Sequence, residues 1–329
     1  FAAKNLPMQK IQEEQKELRV YVGWDSREDI AYQVCKKSIE DQSSAQVTVM
    51  PLKQKSLKAD GFYWRNTDAL ASTEFTFTRF LVPELNEFDG WALFVDCDFV
   101  FLGDIATLFN KADDKYAVMC AQHDYTPKES TKMDGQIQSV YPRKNWSSMM
   151  LINCGHPSNK LLNKKLVNDP SVSGAYLHRF SWLDDSEIGR ISHEWNWLVG
   201  WYSSPADGRP LALHYTEGGP WFPEYQDCEY ANEYYKVERT VLNGQIKYIK
   251  KEINKEKDKI RKISELPYTV EVRKYLERSL LKYIDPTGLY YKNKEHDMTK
   301  TIRCVSIESD APYEERGLRY DPICENFVL

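Results

Sequence analysis

Two aspartates stand two positions apart at the end of an apolar run. Leu93, Phe94 and Val95 lead directly into Asp96, and Asp98 follows after one residue. Residues i and i+2 of an extended chain project to the same side, so the two carboxylates share a face. Ligands of open α/β sheets bind at the carboxyl ends of strands, and oxygen ligands there suit Mg²⁺ or Mn²⁺. Two interpretations stay open, a metal site and a pair of capping carboxylates, because an Asp-x-Asp pair arises about once by chance in an ordinary chain.

An arginine lies among phenylalanines just before this run. Arg79 belongs to a predicted helix that begins at Ser72 and turns Phe75, Phe80 and Leu81 inward. A guanidinium on an otherwise apolar segment requires an anion, either a bound ligand or a partner in a surface salt bridge. We predict an anion-binding role for Arg79, with the salt bridge as the alternative.

The motifs of several other enzyme classes are missing from the chain. There is no GxGxxG, no GxxxxGK[ST] and no GxSxG, and His193-Glu194 has no second histidine at HExxH spacing. These absences argue against dinucleotide-dependent hydride transfer, P-loop phosphoryl transfer, serine hydrolysis and HExxH zinc chemistry.

The composition sets broader limits on the class of protein. The chain has 329 residues, 42% of them hydrophobic and 28% charged, which allows a sizeable core. A net charge of −5 argues against a nucleic-acid partner. Seven scattered cysteines without a CxxC predict reduced thiols and a cytoplasmic protein. The chain contains no apolar run of 18 residues, so we predict no membrane-spanning helix. Because the chain starts at Phe1, we expect a preceding segment to have been removed.

Apolar periodicity predicts strands that alternate with helices. The predicted strands cover 18–24, 46–50, 91–95, 116–121 and 148–152, and the predicted helices include 27–41, 233–263 and 271–284. Such alternation predicts an α/β fold with a mainly parallel, twisted sheet. We divide the chain into an N-terminal tail (1–17), a catalytic domain (18–232) and a helical C-terminal extension (233–329).

Several ordered segments resemble a known enzyme family. The segments are 20–39, 72–81, 93–101, 147–153, 185–188, 195–196 and 214–221. They are similar, in this order, to the GT-A glycosyltransferases of the family 8 type, which include glycogenin and the bacterial lipopolysaccharide galactosyltransferases. The blocks STEFTFTRFLVPELNEFDGWALFVDCDFV, KNWSSMMLINC, EWNWLVG and HYTEGGPWF resemble little-characterised bacterial members more closely. The resemblance covers residues 18–232, implies a Rossmann-like GT-A fold and leaves the last hundred residues unexplained.

The resemblance implies a role for each matching residue. The implied metal ligands are Asp96, Asp98 and His214; the implied donor-binding residues are Asp25, Arg79, Ser147, Ser148, Gly218 and Gly219; the implied catalytic residues are Asp185, Ser186 and Asn145. Trp195 and Asn196 are expected to support the acceptor side. The chain departs from the family pattern at Trp146, which intrudes in its block, at Ser186, which replaces a glutamine, and at Gly219, which replaces a lysine.

Simpler structural roles remain open for three of these sites. Asp25 suits a helix N-cap as well as a nucleotide-base contact, and Asp184 and Asp185 suit a helix cap as well as a sugar pocket. A lone histidine such as His214 is often a hydrogen-bonded core residue. The neighbouring Gly218-Gly219 turn favours the ligand role, because backbone N–H groups in such a turn can approach a diphosphate closely.

Together these features predict a metal-dependent glycosyltransferase. The resemblance implies transfer of a hexose from a nucleotide-diphosphate sugar, UDP-linked in the expected case, to a hydroxyl acceptor with retention of configuration. The implied cofactor is Mn²⁺ or Mg²⁺, and the acceptor is a glycan, a lipid-linked sugar or a protein. Two alternatives stay open: a sugar nucleotidyltransferase and a non-catalytic sugar-binding module.

The predicted helix 233–263 is basic in an acidic protein. Eight basic and three acidic residues lie between Lys247 and Lys262. Such a helix could place 246–263 on anionic lipid as a peripheral membrane contact. The alternative is a solvated helix whose isoleucine stripe packs on the main domain or on a second subunit of a homo-oligomer.

Overall fold

The computed structural model describes residues 17–66, 71–124, 143–264, 319–321 and 326–328. The chain divides into two compact units, Phe1–Gly244 and Gln245–Leu329. The first unit contains the central sheet and all of the candidate site residues named above. The proposed domain boundary at 232 stays a prediction.

Six strands form the central sheet of the first unit. They are β1 (Leu18–Gly23), β2 (Val47–Leu52), β3 (Trp91–Val95), β5 (Val118–Ala121), β6 (Met149–Asn153) and β7 (Ile188–Ile191). Their order across the sheet is β2-β1-β3-β6-β5-β7, and every neighbouring pair is parallel except the two that involve β6. The predicted α/β class with a mainly parallel sheet is therefore confirmed.

Helices connect and flank these strands. They are α1 (Asp29–Gln42), α2 (Gln54–Ala59), α3 (Val82–Leu85), α4 (Ile105–Phe109), α5 (Lys164–Asn168), α6 (Gly174–His178) and α7 (Ala231–Ser264). The middle strands are almost completely buried, with Val20, Val22 and Leu93 all at 0% exposure. Continuous apolar strands of this kind are typical of parallel sheets that are covered on both faces.

A second, three-stranded sheet positions the site. It consists of β4 (Phe99–Phe101), β8 (Trp197–Leu198) and β9 (Ala212–His214), in the order β4-β9-β8. The antiparallel register pairs Phe99 with His214. Because Phe99 directly follows Asp98, this pairing brings His214 beside the end of β3 although 116 residues separate it from Asp98.

The expected helix that begins at Ser72 is wrong. The structure has bends at 72–73, turns over 74–77, a 3-10 helix at Thr78–Leu81 and then α3. Pro83 does not disrupt the helix but occupies its first turn, where proline costs no hydrogen bond. The inward orientation of Phe75, Phe80 and Leu81 is confirmed.

The C-terminal part of the chain contains α7 and one short strand pair. The predicted helix 233–263 is confirmed as α7, whereas the predicted helix 271–284 lies outside the described residues. In the second unit, β10 (Arg319–Asp321) pairs antiparallel with β11 (Asn326–Val328). Within the described part of the chain, no helix combines the length and apolarity needed to cross a membrane.

Candidate metal centre and adjoining cleft

Asp96, Asp98 and His214 converge in space. One ligand atom from each lies within 4.8 Å of the other two. His214 is 2% exposed and its ring stacks on Phe99 with 4.3 Å between the ring centroids, whereas both aspartates keep part of their surface in solvent. The imidazole is therefore held in the protein while the carboxylates remain open to a ligand.

A buried asparagine determines which imidazole nitrogen faces the aspartates. The Asn196 amide nitrogen donates to the backbone oxygen of Asn145 at 3.4 Å and to Ser148 Oγ at 2.9 Å. A carbonyl can only accept, so this contact fixes the amide orientation and directs Asn196 Oδ1 at His214 Nδ1, 2.8 Å away. Nδ1 therefore donates a proton to this bond, and Nε2 faces Asp98 Oδ2 at 3.4 Å.

These residues fit a divalent cation. A neutral imidazole nitrogen and a carboxylate oxygen are both electron donors, and they repel each other at this distance unless a proton or a metal ion lies between them. Two carboxylates and one imidazole suit Mn²⁺ or Mg²⁺, and the nitrogen ligand favours Mn²⁺. The ligand set leaves coordination positions for phosphate oxygens and water.

Arg79 is a buried partner of the same cluster. Its guanidinium lies 2.8 Å from Asp96 Oδ1 and donates to the backbone oxygen of Ser147 at 2.9 Å. It also lies over the rings of Phe75 and Phe94, at 5.2 and 4.9 Å from their centroids. Because Arg79 is only 5% exposed, the alternative of a surface salt bridge is wrong.

A cleft of about 640 Å³ opens beside these residues. It is lined by Glu28, Ser72, Thr73, Phe75, Arg79, Asp96, Cys97, Asp98, Tyr215, Thr216, Glu217, Gly218, Trp221 and Phe222. A Cβ on Gly219 would lie 2.0 Å from Trp221 Cζ3, so the indole can pack against the backbone only because residue 219 is glycine. Gly218 lines the cleft itself with a φ of 133°.

A second cavity of about 750 Å³ shares Ser72 and Thr73 with the cleft and contains Asp25 in its wall. Asp25 caps the 3-10 turn Ser26–Glu28, as its simpler interpretation predicted, and also accepts from the Glu74 backbone at 3.1 Å. Burial alone would raise the pKa of Asp25, but hydrogen bonds from Arg27 and from two backbone N–H groups lower it overall. A contact between Asp25 and a nucleotide base stays a prediction.

The serines predicted to bind the donor are occupied within the protein. Ser147 Oγ lies 2.7 Å from Nδ1 of His178, and Ser148 Oγ donates to the backbone oxygen of Asn145 at 2.7 Å. The backbone carbonyl of Ser148 also accepts a hydrogen bond from the backbone N–H of Asp96, at 2.8 Å. Both serines therefore support Arg79, Asp96 and Asn196, and direct donor contacts through their hydroxyls remain predictions.

The predicted catalytic residues lie apart from the cleft walls. The Asp185 side chain is 88% exposed and pairs with Arg143, and Ser186 is exposed as well. The preceding Asp184 N–H donates to the Glu187 carboxylate at 2.8 Å, so this block forms the capped turn that leads into β7. Asn145 has a left-handed backbone with a φ of 63°, and its buried Nδ2 has no hydrogen-bond partner among the described residues. Catalytic roles for Asp185, Ser186 and Asn145 stay predictions.

The role of Asn196 was not foreseen from the sequence. It was expected with Trp195 on the acceptor side, but Asn196 is fully buried and binds His214. The one feature of the sequence that could have indicated a buried role for Asn196 is its position between Trp195 and Trp197. A polar residue between two buried tryptophans needs a buried hydrogen-bond partner, and a histidine at a strand end is such a partner.

Fold and site together define an α/β protein with a candidate divalent-cation site at the strand ends of its sheet. No known protein-family profile matches the chain. The chain is 55% identical over 222 residues to Protein CDI of Arabidopsis thaliana, covering 67% of this chain and 85% of that protein. The chain belongs to the same family as Protein CDI.

Solved structures with similar folds include several glycosyltransferases. GlyE of Streptococcus pneumoniae TIGR4 shares 14% identity with a TM-score of 0.46, and the match covers 70% of this chain and 64% of GlyE. The bifunctional enzyme WbbM shares 13% with a TM-score of 0.48, over 68% of this chain and 49% of WbbM. The galactosyltransferase LgtC, solved with donor and acceptor sugar analogues, shares 13% identity with a TM-score of 0.42, and the match covers 68% of this chain and 96% of LgtC. The chain thus spans less than two thirds of GlyE and about half of WbbM, and membership of family 8 stays a prediction.

Proposed function

We propose that this protein is a metal-dependent glycosyltransferase that moves a hexose from a nucleotide-diphosphate sugar, UDP-linked in the expected case, to a hydroxyl acceptor. The observation that carries the proposal is the fixed imidazole of His214, whose Nε2 faces Asp98 across 3.4 Å while Asn196 holds Nδ1. Together with Asp96, these groups supply three ligand atoms close enough to bind one cation, which supports the proposal.

The charge of the cleft supports cation-dependent donor binding. Its lining contains four acidic side chains, from Glu28, Asp96, Asp98 and Glu217, and a single basic side chain, from Arg79. A diphosphate would be repelled by this excess of negative charge. A divalent ion held by Asp96, Asp98 and His214 would offset two of these negative charges and would neutralise the charge that develops on a departing diphosphate.

Aromatic side chains in the cleft supply surfaces for a sugar or a base. Tyr215, Trp221 and Phe222 line one wall, and rings of this kind pack against the apolar faces of sugars and stack on bases. The indole Nε1 of Trp221 is buried and has no hydrogen-bond partner among the described residues. We assign this donor to an oxygen of the bound nucleotide sugar.

The transfer step conserves atoms without a co-reactant. The bond between the anomeric carbon and the diphosphate oxygen breaks, and the acceptor oxygen forms the new glycosidic bond. The acceptor proton goes to the departing phosphate, so retention of configuration requires no strong base beside the acceptor. Retention is part of the proposal, and the anomeric proton coupling of the product, measured by NMR with a defined donor, tests it. An inverted linkage would refute retention.

A donor panel tests the function itself. The protein is incubated with Mn²⁺ and a set of nucleotide sugars, and released nucleoside diphosphate is measured with and without EDTA. We expect release with UDP-linked donors, its loss in EDTA, and a drop of at least about 100-fold for Asp98→Asn, since this removes a metal ligand. Asp113→Asn, at a solvent-exposed carboxylate on another loop, is the matched control and should retain full activity.

The same assay separates the two alternatives. Pyrophosphate release from a nucleoside triphosphate and a sugar phosphate would identify a nucleotidyltransferase instead. Sugar binding without any turnover, unaffected by EDTA, would identify a non-catalytic binding module. Either result would overturn the proposed function.

A further inference from the structure

Helix α7 carries a row of solvent-exposed apolar side chains. Leu242, Ile246 and Ile249 are 41%, 47% and 54% exposed, and Ile253 is half-buried. The intervals between these four residues are four, three and four positions. This is the alternation of the a and d positions of a heptad repeat, and the sequence continues it at Ile260 and Ile263.

The start of α7 is anchored in the first unit. Tyr234 is 1% exposed and belongs to a core cluster with Tyr215, against which Val237 and Val241 also pack. The first turns of the helix are therefore already ordered. Because nucleation is the costly step in helix formation, a preformed start lowers the entropy cost of using the rest of α7 as a binding surface.

We propose that residues 242–263 form a parallel two-stranded coiled coil with the same segment of a second copy of this chain. In this register Ile246, Ile253 and Ile260 occupy a positions, while Leu242, Ile249 and Ile263 occupy d positions. Isoleucine at both a and d, as at Ile246 and Ile249, would by itself favour more than two strands. The apolar seam is only as wide as the a and d positions and is flanked by the polar residues Lys250 and Glu252, and a pair of helices buries only such a narrow seam. Glu256 takes the remaining d position in this register, and a single polar residue in the seam fixes the register at a cost in stability.

The charged residues on either side of this apolar stripe (Leu242, Ile246, Ile249 and Ile253) fit a second copy of the helix in parallel orientation. Glu252 lies at a g position and Lys257 at the next e position, and a parallel pair places g of one helix opposite that e of the other. Lys257 is exposed, and Glu252 also bonds Lys255 of its own helix at 2.6 Å. An antiparallel pair would instead set glutamate against glutamate and lysine against lysine.

The outward positions favour a protein partner over a lipid surface. The stripe is narrow and aliphatic, whereas interfacial membrane helices bury a broad face with tryptophan or phenylalanine. Tyr248, at a c position, is 66% exposed and lies outside the stripe, and a Cβ on Gly244, at an f position, would meet nothing within 4 Å. Lys247 and Lys251 lie at b and f, where they solvate the pair.

Sedimentation velocity of the full chain, without donor or metal, tests the proposal over a concentration series. We expect a monomer–dimer equilibrium in the micromolar range. Ile249→Glu should raise the dimer dissociation constant by at least about 100-fold, because it places a charge in the buried seam of both helices. Tyr248→Glu makes the same chemical change one residue away, outside the seam, and should leave dimerisation within about threefold. Circular dichroism confirms that both variants keep their helix content.

Charge reversal tests the orientation. Lys257→Glu should weaken the dimer at low salt, and adding Glu252→Lys to it should restore the affinity, because the opposite charges then face each other again. A chain that stays monomeric at all concentrations would overturn the proposal. So would equal effects of Tyr248→Glu and Ile249→Glu, or an unchanged affinity of Lys257→Glu. A monomer that sediments with phosphatidylserine-containing vesicles would assign the stripe to lipid instead. None of these outcomes depends on the proposed activity.

Discussion

Oδ1 of Asn196 lies 2.8 Å from Nδ1 of His214, and this contact decides which nitrogen of the imidazole can bind a cation. The asparagine is itself oriented by Asn145 and Ser148. This network of hydrogen bonds therefore leaves Nε2 of His214 as the ring nitrogen that faces Asp98. Second-layer contacts of this kind are a usual feature of protein metal sites.

Removing this contact should weaken metal binding. We expect Asn196→Ala to reduce Mn²⁺ affinity by about 10- to 100-fold, because the His214 ring loses both its fixed tautomer and its orientation. Isothermal titration calorimetry measures the affinity, and the ¹⁵N shifts of His214 report the tautomer without metal. Asn163→Ala, which removes the cap of α5, is the control: it should cost about 1 kcal/mol of stability and leave Mn²⁺ affinity unchanged. Unaltered affinity and tautomer in Asn196→Ala would contradict the assignment.

The Arg79–Asp96 pair should be energetically coupled. Arg79→Ala leaves a half-buried carboxylate without its guanidinium, and we expect a loss of about 2 kcal/mol in the free energy of unfolding, below the value for a fully buried pair because Asp96 is partly exposed. The double variant Arg79→Ala/Asp96→Ala should lose less than the sum of the single variants in urea denaturation. The surface pair Lys37–Asp41 serves as the comparison and should show a coupling of about 0.3 kcal/mol. Additive losses at Arg79 and Asp96 would show that the pair contributes nothing.

His178 should make the protein sensitive to acid. Burial, and after it the nearby charge of Arg79, together lower the pKa of His178 from 6.5 to about 3. His178 therefore binds a proton near pH 6.5 in the unfolded chain but only near pH 3 in the folded chain. The free energy of unfolding consequently decreases as the pH falls from about 6.5 to about 3. The slope is about 1.4 kcal/mol per pH unit for one such group. His178→Gln should reduce the slope of unfolding free energy against pH by about one proton between pH 6 and 4; an unchanged slope would refute this role.

The glycine beneath Trp221 should be required for the shape of the cleft. Gly219→Ala places a Cβ 2.0 Å from the indole carbon Cζ3, so the ring must move. We expect a stability loss of about 1–3 kcal/mol, a shift in tryptophan emission and a raised KM for the donor with a smaller change in kcat. Gly244→Ala is the control, because its new methyl group meets no atom within 4 Å; it should stabilise α7 by about 1 kcal/mol. A normal emission spectrum in Gly219→Ala would contradict the packing.

Local sequence patterns determined the elements of this protein and much of its candidate site. The apolar runs that became β1, β3 and β6 were evident because buried strands must be continuously apolar, and the position of Asp96 and Asp98 after β3 followed from the same run. The long α7 was evident from its period. The helix predicted from Ser72 is absent, because Phe75 and Phe77 reach the core from turns and Phe80 from the short 3-10 helix that follows, not from one face of an α-helix.

The resemblance predicted that His214 joins Asp96 and Asp98, and the tertiary structure decided how they are brought together and which other residues they meet. Pairing between β4 and β9 brings His214 to Asp98 across 116 residues, and no spacing in the chain encodes that register. The sequence predicted an anion for Arg79 without identifying it, and in the fold that anion is the buried Asp96. The fold also buries Asn196 against His214, away from the surface. The physical reason is that hydrogen-bond and ion-pair partners of buried polar groups are chosen by packing between distant segments. Composition and periodicity specify that such groups need partners, whereas the fold selects the partners themselves.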